Sequence, residues 1–168
     1  MKFHILLILL CACCLLHIGC SKEKLPEGMP TLGPIKLKLT TDGSTPLESA
    51  SVTLVPENAE MTKWLAGGTT DGQGVCLIRT LGRYDGAPVG KYKVIVQKTI
   101  IEGGASGEVT DAGGSSAGGQ AKSFHLVGKE YRSPQTTPLE VEVQEKANPD
   151  VTLDTGKPVR ESIALSAG

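Results

Sequence analysis

The stretch Lys91-Tyr92-Lys93-Val94-Ile95-Val96-Gln97-Lys98 decides the fold. Tyr92, Val94 and Val96 fall on one face, and Lys91, Lys93 and Gln97 on the other. That two-residue period is the signature of a half-buried β-strand, and no helical face fits it. The same alternation recurs on both sides. Ile35, Leu37 and Leu39 share a face while Lys36 and Lys38 take the opposite one, and Leu139, Val141 and Val143 alternate with Glu140 and Glu142. These three segments predict strands with Ile35, Leu37, Leu39, Tyr92, Val94, Val96, Leu139, Val141 and Val143 in a common core.

Shorter strands fill the intervals. Residues 50–55 (ASVTLV) form a strand stopped by Pro56, and residues 64–69 (WLAGGT) one weakened by glycine. Residues 75–80 (VCLIRT) read as apolar on both faces, which predicts a central place in the sheet. Val151–Asp154 gives a last strand. The turns between them carry Asp42-Gly43, Asp71-Gly72, Asp85-Gly86 and Asn148-Pro149. Residues 57–62 are loop or a single helical turn, and 81–90 are loop. About seven strands at this spacing, without an amphipathic helix of useful length, describe an all-β fold. The expected architecture is a single antiparallel Greek-key β-sandwich.

The chain divides by composition. Residues 1–19 join one positive charge, Lys2, to an apolar run from Ile5 to Leu16, and end on the small Gly19 before Cys20. The run has the length of a secretory h-region and is too short to span a bilayer. This order resembles a bacterial lipoprotein signal, with Cys20 as the lipidated first residue of the mature chain. His17 stands three residues before the cysteine, where such signals usually carry leucine. Residues 20–33 are polar and proline-broken, a lipidated tether reaching ~40 Å at ~3.1 Å per residue. Residues 34–155 form the sandwich. An insertion at about 101–122 is so rich in glycine that it cannot offset its ordering entropy, and reads as a disordered loop. Residues 156–168 show no period and are expected to fray.

Charge and cysteine usage exclude several functions. The net charge is −1, falling to about −2 once Lys2 leaves with the signal, and no basic run exists to hold nucleic acid. Cys11, Cys13 and Cys14 also leave, and lipid consumes Cys20. Cys76 alone remains, so no internal disulfide forms. It sits in an apolar strand and reads as a buried structural thiol. His125 is the one histidine after Cys20, too few for a histidine metal cluster. The Asp-Gly pairs lack the closely spaced carboxylates that calcium needs and read as turns. Trp64, Tyr84 and Tyr131 are candidates to line a carbohydrate surface, with core or loop packing the simpler role.

Four segments carry a family resemblance. Residues 46–56 (PLESASVTLVP) are similar to the Pro-Leu-x-Gly-Ala-x-Val-x-Phe-x-Pro opening of carboxypeptidase regulatory-like domains, with Ser49 where the pattern has glycine. Residues 68–74 (GTTDGQG) resemble their Gly-x-Thr-Asp-x-x-Gly hairpin. Residues 86–94 (GAPVGKYKV) resemble their Pro-x-Gly-x-Tyr-x-Val strand. Residues 131–139 (YRSPQTTPL) are similar to a variant found among small planctomycete-type envelope lipoproteins. The resemblance spans about residues 34–154. It implies a transthyretin-like (prealbumin-like) sandwich, an envelope setting and no catalytic residues.

That fold also hosts a purine-catabolism hydrolase, which uses several histidines and a C-terminal Tyr-Arg-Gly-Ser. Tyr131-Arg132-Ser133 echoes it internally, but the histidines are missing. Adhesin sandwiches suggest a Lys–Asp isopeptide bond between Lys36 or Lys38 and Asp154. The alternation points both lysines outward, against the buried lysine such a bond requires. The expectation is therefore a non-enzymatic, cofactor-free, metal-free protein tied to the membrane through Cys20 lipid. Ser21 permits outer-membrane sorting. The expected role is structural or protein-interacting, with an envelope protein or polysaccharide as partner. A carbohydrate- or small-ligand-binding module is the alternative, and a secreted hydrolase using His125 a distant third.

Overall fold

The computed structural model describes residues 24–103, 121–146 and 148–163. Among them the regular structure is β-strand with two short 3₁₀ turns, at Ala59–Lys63 and Lys129–Arg132, and no α-helix. The two main sheets enclose one core.

The larger sheet is built around β10 (Gly90–Gln97), the decisive stretch. It pairs antiparallel with β4 (Ser51–Pro56) on one edge and β13 (Glu140–Val143) on the other. Val94 sits opposite Leu54, Val96 opposite Val52, and Tyr92 opposite Val141. Cross-strand apolar pairs of this kind hold a register, since a one-residue slip would turn the whole set to solvent. The sheet continues through β5 (Ala66–Thr69) and β7 (Arg79–Thr80) to β8 (Tyr84–Asp85).

The second sheet is built on β2 (Lys36–Thr41), which buries Leu37 and Leu39 against the first and leaves Lys36 and Lys38 exposed. β6 (Val75–Leu77) and β3 (Thr45–Pro46) share one edge of β2 and are antiparallel to it. On the other edge β14 (Val151–Asp154) runs parallel, so the expected wholly antiparallel pairing is corrected at this one pair. The cause is the connection. After β13 the chain crosses at residues 144–150 to the opposite sheet instead of folding back beside β13.

Residues 75–80 are also corrected. They do not form one central strand. Cys76, Ile78 and Thr80 are buried while Leu77 and Arg79 are exposed, so the inward face is continuous. The chain keeps that face inward while passing from β6 in one sheet to β7 in the other. Ile78 marks the crossing, donating its N–H to the Ile35 carbonyl and accepting from Gly86 N.

Loop expectations change at three places. Within 81–90 the chain forms β8 and then β9 (Ala87–Pro88), which pairs with β1 (Leu32–Gly33). The last three residues of the expected tether are therefore fixed to the domain: Val89 N donates to Thr31 O at 3.1 Å. Of the glycine-rich insertion, residues 104–120 lie outside the described residues, as does Cys20. The insertion's ends are β-structure: β11 (Thr99–Glu102) pairs with β12 (Lys122–His125). Finally, the expected fraying tail joins this small sheet as β15 (Glu161–Ser162), bonded along β12 and tied by an Arg132–Glu161 ion pair. Residues 164–168 lie outside the described set.

Strand direction gives the molecule two ends. Lys36, Pro56, Ala66, Thr80, Gly90 and Val143 lie at the end where the N-terminal segment enters. β11, β12, β15 and the turns at 42–50 and 70–74 lie at the far end.

Candidate binding groove

The seam where β6 passes into β7 leaves a groove of about 420 Å³, bounded by Pro34, Ile35, Leu77, Ile78, Gly86 and the charged residues beside them. The volume lies in the lower range for ligand sites. Leu77 is 60% exposed because the alternation points it outward where no strand lies over it. Two ion pairs flank it. Lys36 Nζ meets Asp150 at 3.0 Å, and Arg79 Nε meets Asp85 Oδ1 at 3.0 Å. Both are well exposed, so they contribute little stability and stay free to re-pair.

Asn148 builds the groove's end wall. Its side-chain amide donates to Pro34 O at 2.9 Å and Gln144 O at 3.0 Å, and its oxygen accepts from Gln144 N at 2.9 Å. One side chain thus ties the β13–β14 crossing to the start of β2. Close backbone packing completes the scaffold. A methyl group on Gly33 would sit 2.0 Å from Gln144 O, and one on Gly86 2.4 Å from Gly33 O. Pro34 and Asp85 are shared with a larger adjoining cleft of about 690 Å³, whose walls include Leu25, Leu32, Arg83 and Tyr84.

The residues singled out in the sequence fall elsewhere. Cys76 is fully buried, with its Sγ under Gly68, and burial together with the nearby Asp71 carboxylate pushes its thiol up to about 11. A thiol so raised is protonated at neutral pH, as the structural reading expects. His125 lies on β12 at the far end, its Nδ1 3.4 Å from Thr99 Oγ1. Trp64 ends the first 3₁₀ turn with Lys63 5.4 Å from its ring centroid, and Tyr84 begins β8 with Arg83 5.7 Å from its ring centroid. Tyr131 sits at the far end, its hydroxyl beside Gly156, and burial with the Glu130 and Asp154 charges raises its pKa. The three aromatics do not converge on one surface.

Asp154 is not brought to either lysine. It accepts hydrogen bonds from Thr40 Oγ1, Gly43 N and Gly156 N, while Lys36 pairs with Asp150. The Asp-Gly pairs perform turn chemistry. Asp71 Oδ1 accepts from Gln73 N at 2.8 Å and Val75 N at 2.9 Å, and Asp85 holds Arg79. Among the described residues no three His, Cys, Asp or Glu side chains are grouped to hold a metal.

Sequence reasoning missed the groove because residues 75–80 read as apolar throughout. Arg79 was the available signal: it shares a face with Leu77, so that face is outward. Asn148 gave no signal beyond its turn. No family profile, curated protein or solved structure matches this chain.

Proposed function

We propose that this chain is a lipid-anchored cell-envelope protein whose domain binds an envelope partner without catalysis. The anchor is Cys20, with the layout of residues 1–20 as its support. The domain is read as a transthyretin-like β-sandwich of the carboxypeptidase regulatory-like kind. Three placements support that kinship. Residues 46–56 run from the end of β3 through β4, residues 68–74 form the turn between β5 and β6, and residues 86–94 the β9–β10 run.

One observation carries the binding reading: Leu77, exposed on an apolar floor between two re-pairable ion pairs. An extended polypeptide presenting an apolar side chain would cover Leu77 and meet Lys36, Asp150, Arg79 and Asp85 with its own polar groups. Burying the exposed part of one leucine contributes ~1–2 kcal/mol, and truncating it weakens a complex about tenfold. A photoreactive residue at Leu77 should cross-link to a reproducible envelope protein in intact cells, and one at exposed Thr99, on β11 at the far end, should not. Equal or absent cross-linking at both positions contradicts the reading.

The volume of the groove also suits a small polar ligand such as a short glycan, which is the second reading. A cross-link to saccharide instead of protein would select it.

A further inference from the structure

The N-terminal end of the domain carries an apolar rim. Six large apolar side chains are exposed among the described residues, and besides Leu77 of the groove four lie at this end: Leu65 at 61%, Leu81 at 46%, Leu25 at 42% and Val89 at 38%. Isolated exposed leucines are ordinary, but their gathering at one end is not. The four are linked through the backbone and one cleft. Leu81 N donates to Leu65 O at 2.7 Å, Val89 N donates to Thr31 O, and Leu25 lines the cleft with Thr31, Arg83 and Tyr84.

Leu81 is also held in an unfavourable backbone state. Arg83 N bonds Thr80 O at 3.1 Å, closing a tight turn whose central residues, Leu81 and Gly82, have φ of 55° and 69°. That turn type selects Asn, Asp or Gly at its first central position. A bulky leucine there is strained, and its exposure returns no core packing.

We infer that this rim rests on the lipid bilayer to which Cys20 is attached, orienting the domain with β11, β12 and β15 facing away from it. The inference rests on the lipid-anchor reading. Leu25 already lines the domain's own cleft, so only residues 21–24 separate it from the acylated cysteine, a reach of at most ~18 Å. The tether therefore holds this end, and not the far one, at the surface. Trp64 and Tyr84 accompany the leucines, each with a cation near its ring, which is the side-chain chemistry of a membrane interface.

Charge names the lipid class. Lys24, Lys63, Arg83 and Lys91 at this end are balanced by Glu27, Glu57, Glu60 and Glu142, and the Lys36–Asp150 and Arg79–Asp85 pairs are each neutral. The contact is therefore apolar and shallow, and indifferent to anionic headgroups. Four side chains would not hold a free protein on a bilayer, but attachment through Cys20 supplies the second binding signal.

Trp64 is the sole tryptophan and a built-in probe. The acylated protein, extracted from its native membranes, would be reconstituted in vesicles of phosphatidylcholine brominated near the headgroup end of its chains. Flotation would be read alongside tryptophan emission. The expected result is co-flotation with Trp64 emission quenched by about half relative to unbrominated vesicles. A Leu65→Gln/Leu81→Asn variant should still float but lose that quenching. Asn suits the turn at position 81, and both side chains are exposed, so neither change removes core packing. Unquenched Trp64 in a floating protein overturns the orientation while the anchor stands. Failure to float removes the anchor and the orientation together.

Discussion

Ser49 adopts φ 52°, a left-handed conformation that costs an L-residue about 1 kcal/mol. Its N–H donates to Thr70 O at 3.0 Å, and Thr70 Oγ1 accepts from Ala50 N while donating to Leu47 O. These bonds fix the turn whichever residue occupies position 49. Ser49→Gly should therefore keep the structure and raise stability by ~0.5–1 kcal/mol, read as a higher urea midpoint at unchanged slope. A lower midpoint would mean that the serine side chain contributes something this geometry does not contain. In the sequence Ser49 stood out only as a departure from the quoted pattern, which left its turn open. Leu81 was not legible, since nothing in residues 80–83 (TLGR) announces a turn with positive φ at leucine. Gly74 is constrained from both directions: its φ is 76°, and a methyl there would meet Leu39 O at 2.3 Å.

Elements with strict alternation were read correctly, because a single periodic face determines both strand and burial. β2, β10 and β13 place the expected residues inward, and β4 forms where a strand was expected. The short elements escaped for a different reason. β8, β9 and β15 have two residues each, too few for any period to register. They exist because long-range partners satisfy their backbone groups, as β12 does for β15. This predicts slow amide exchange in a segment that composition alone would leave unprotected. Ile163 N bonds Ser123 O at 2.8 Å and Val159 N bonds Leu126 O at 3.2 Å. Both amides should exchange at least ~10²-fold more slowly than an unstructured chain. Exchange at the unstructured rate would restore the fraying tail. The candidate groove arose at an element boundary, where β6 leaves one sheet and β7 enters the other. A property of two sheets together is not written in either strand alone.

At the scale of the whole molecule, the fold separates the two ends of the chain's chemistry. The N-terminal segment, the groove and the apolar rim occupy one end, and the strands framing the glycine-rich insertion occupy the other. The expected ~40 Å tether is thereby shortened, since β1 is part of the domain and Leu25 lines its cleft. The sequence carried the strands of the core. It could not carry the parallel β2–β14 pair, which depends on how the 144–150 crossing is held by Asn148.

Everything said of location depends on Cys20, so the decisive measurement is the intact mass of the protein extracted from its native membranes. The account predicts the mass of residues 20–168 plus a diacylglyceryl group and one amide-linked acyl chain, with no further loss of water or ammonia. An unacylated mass beginning at another residue would contradict the anchor, and with it the oriented domain.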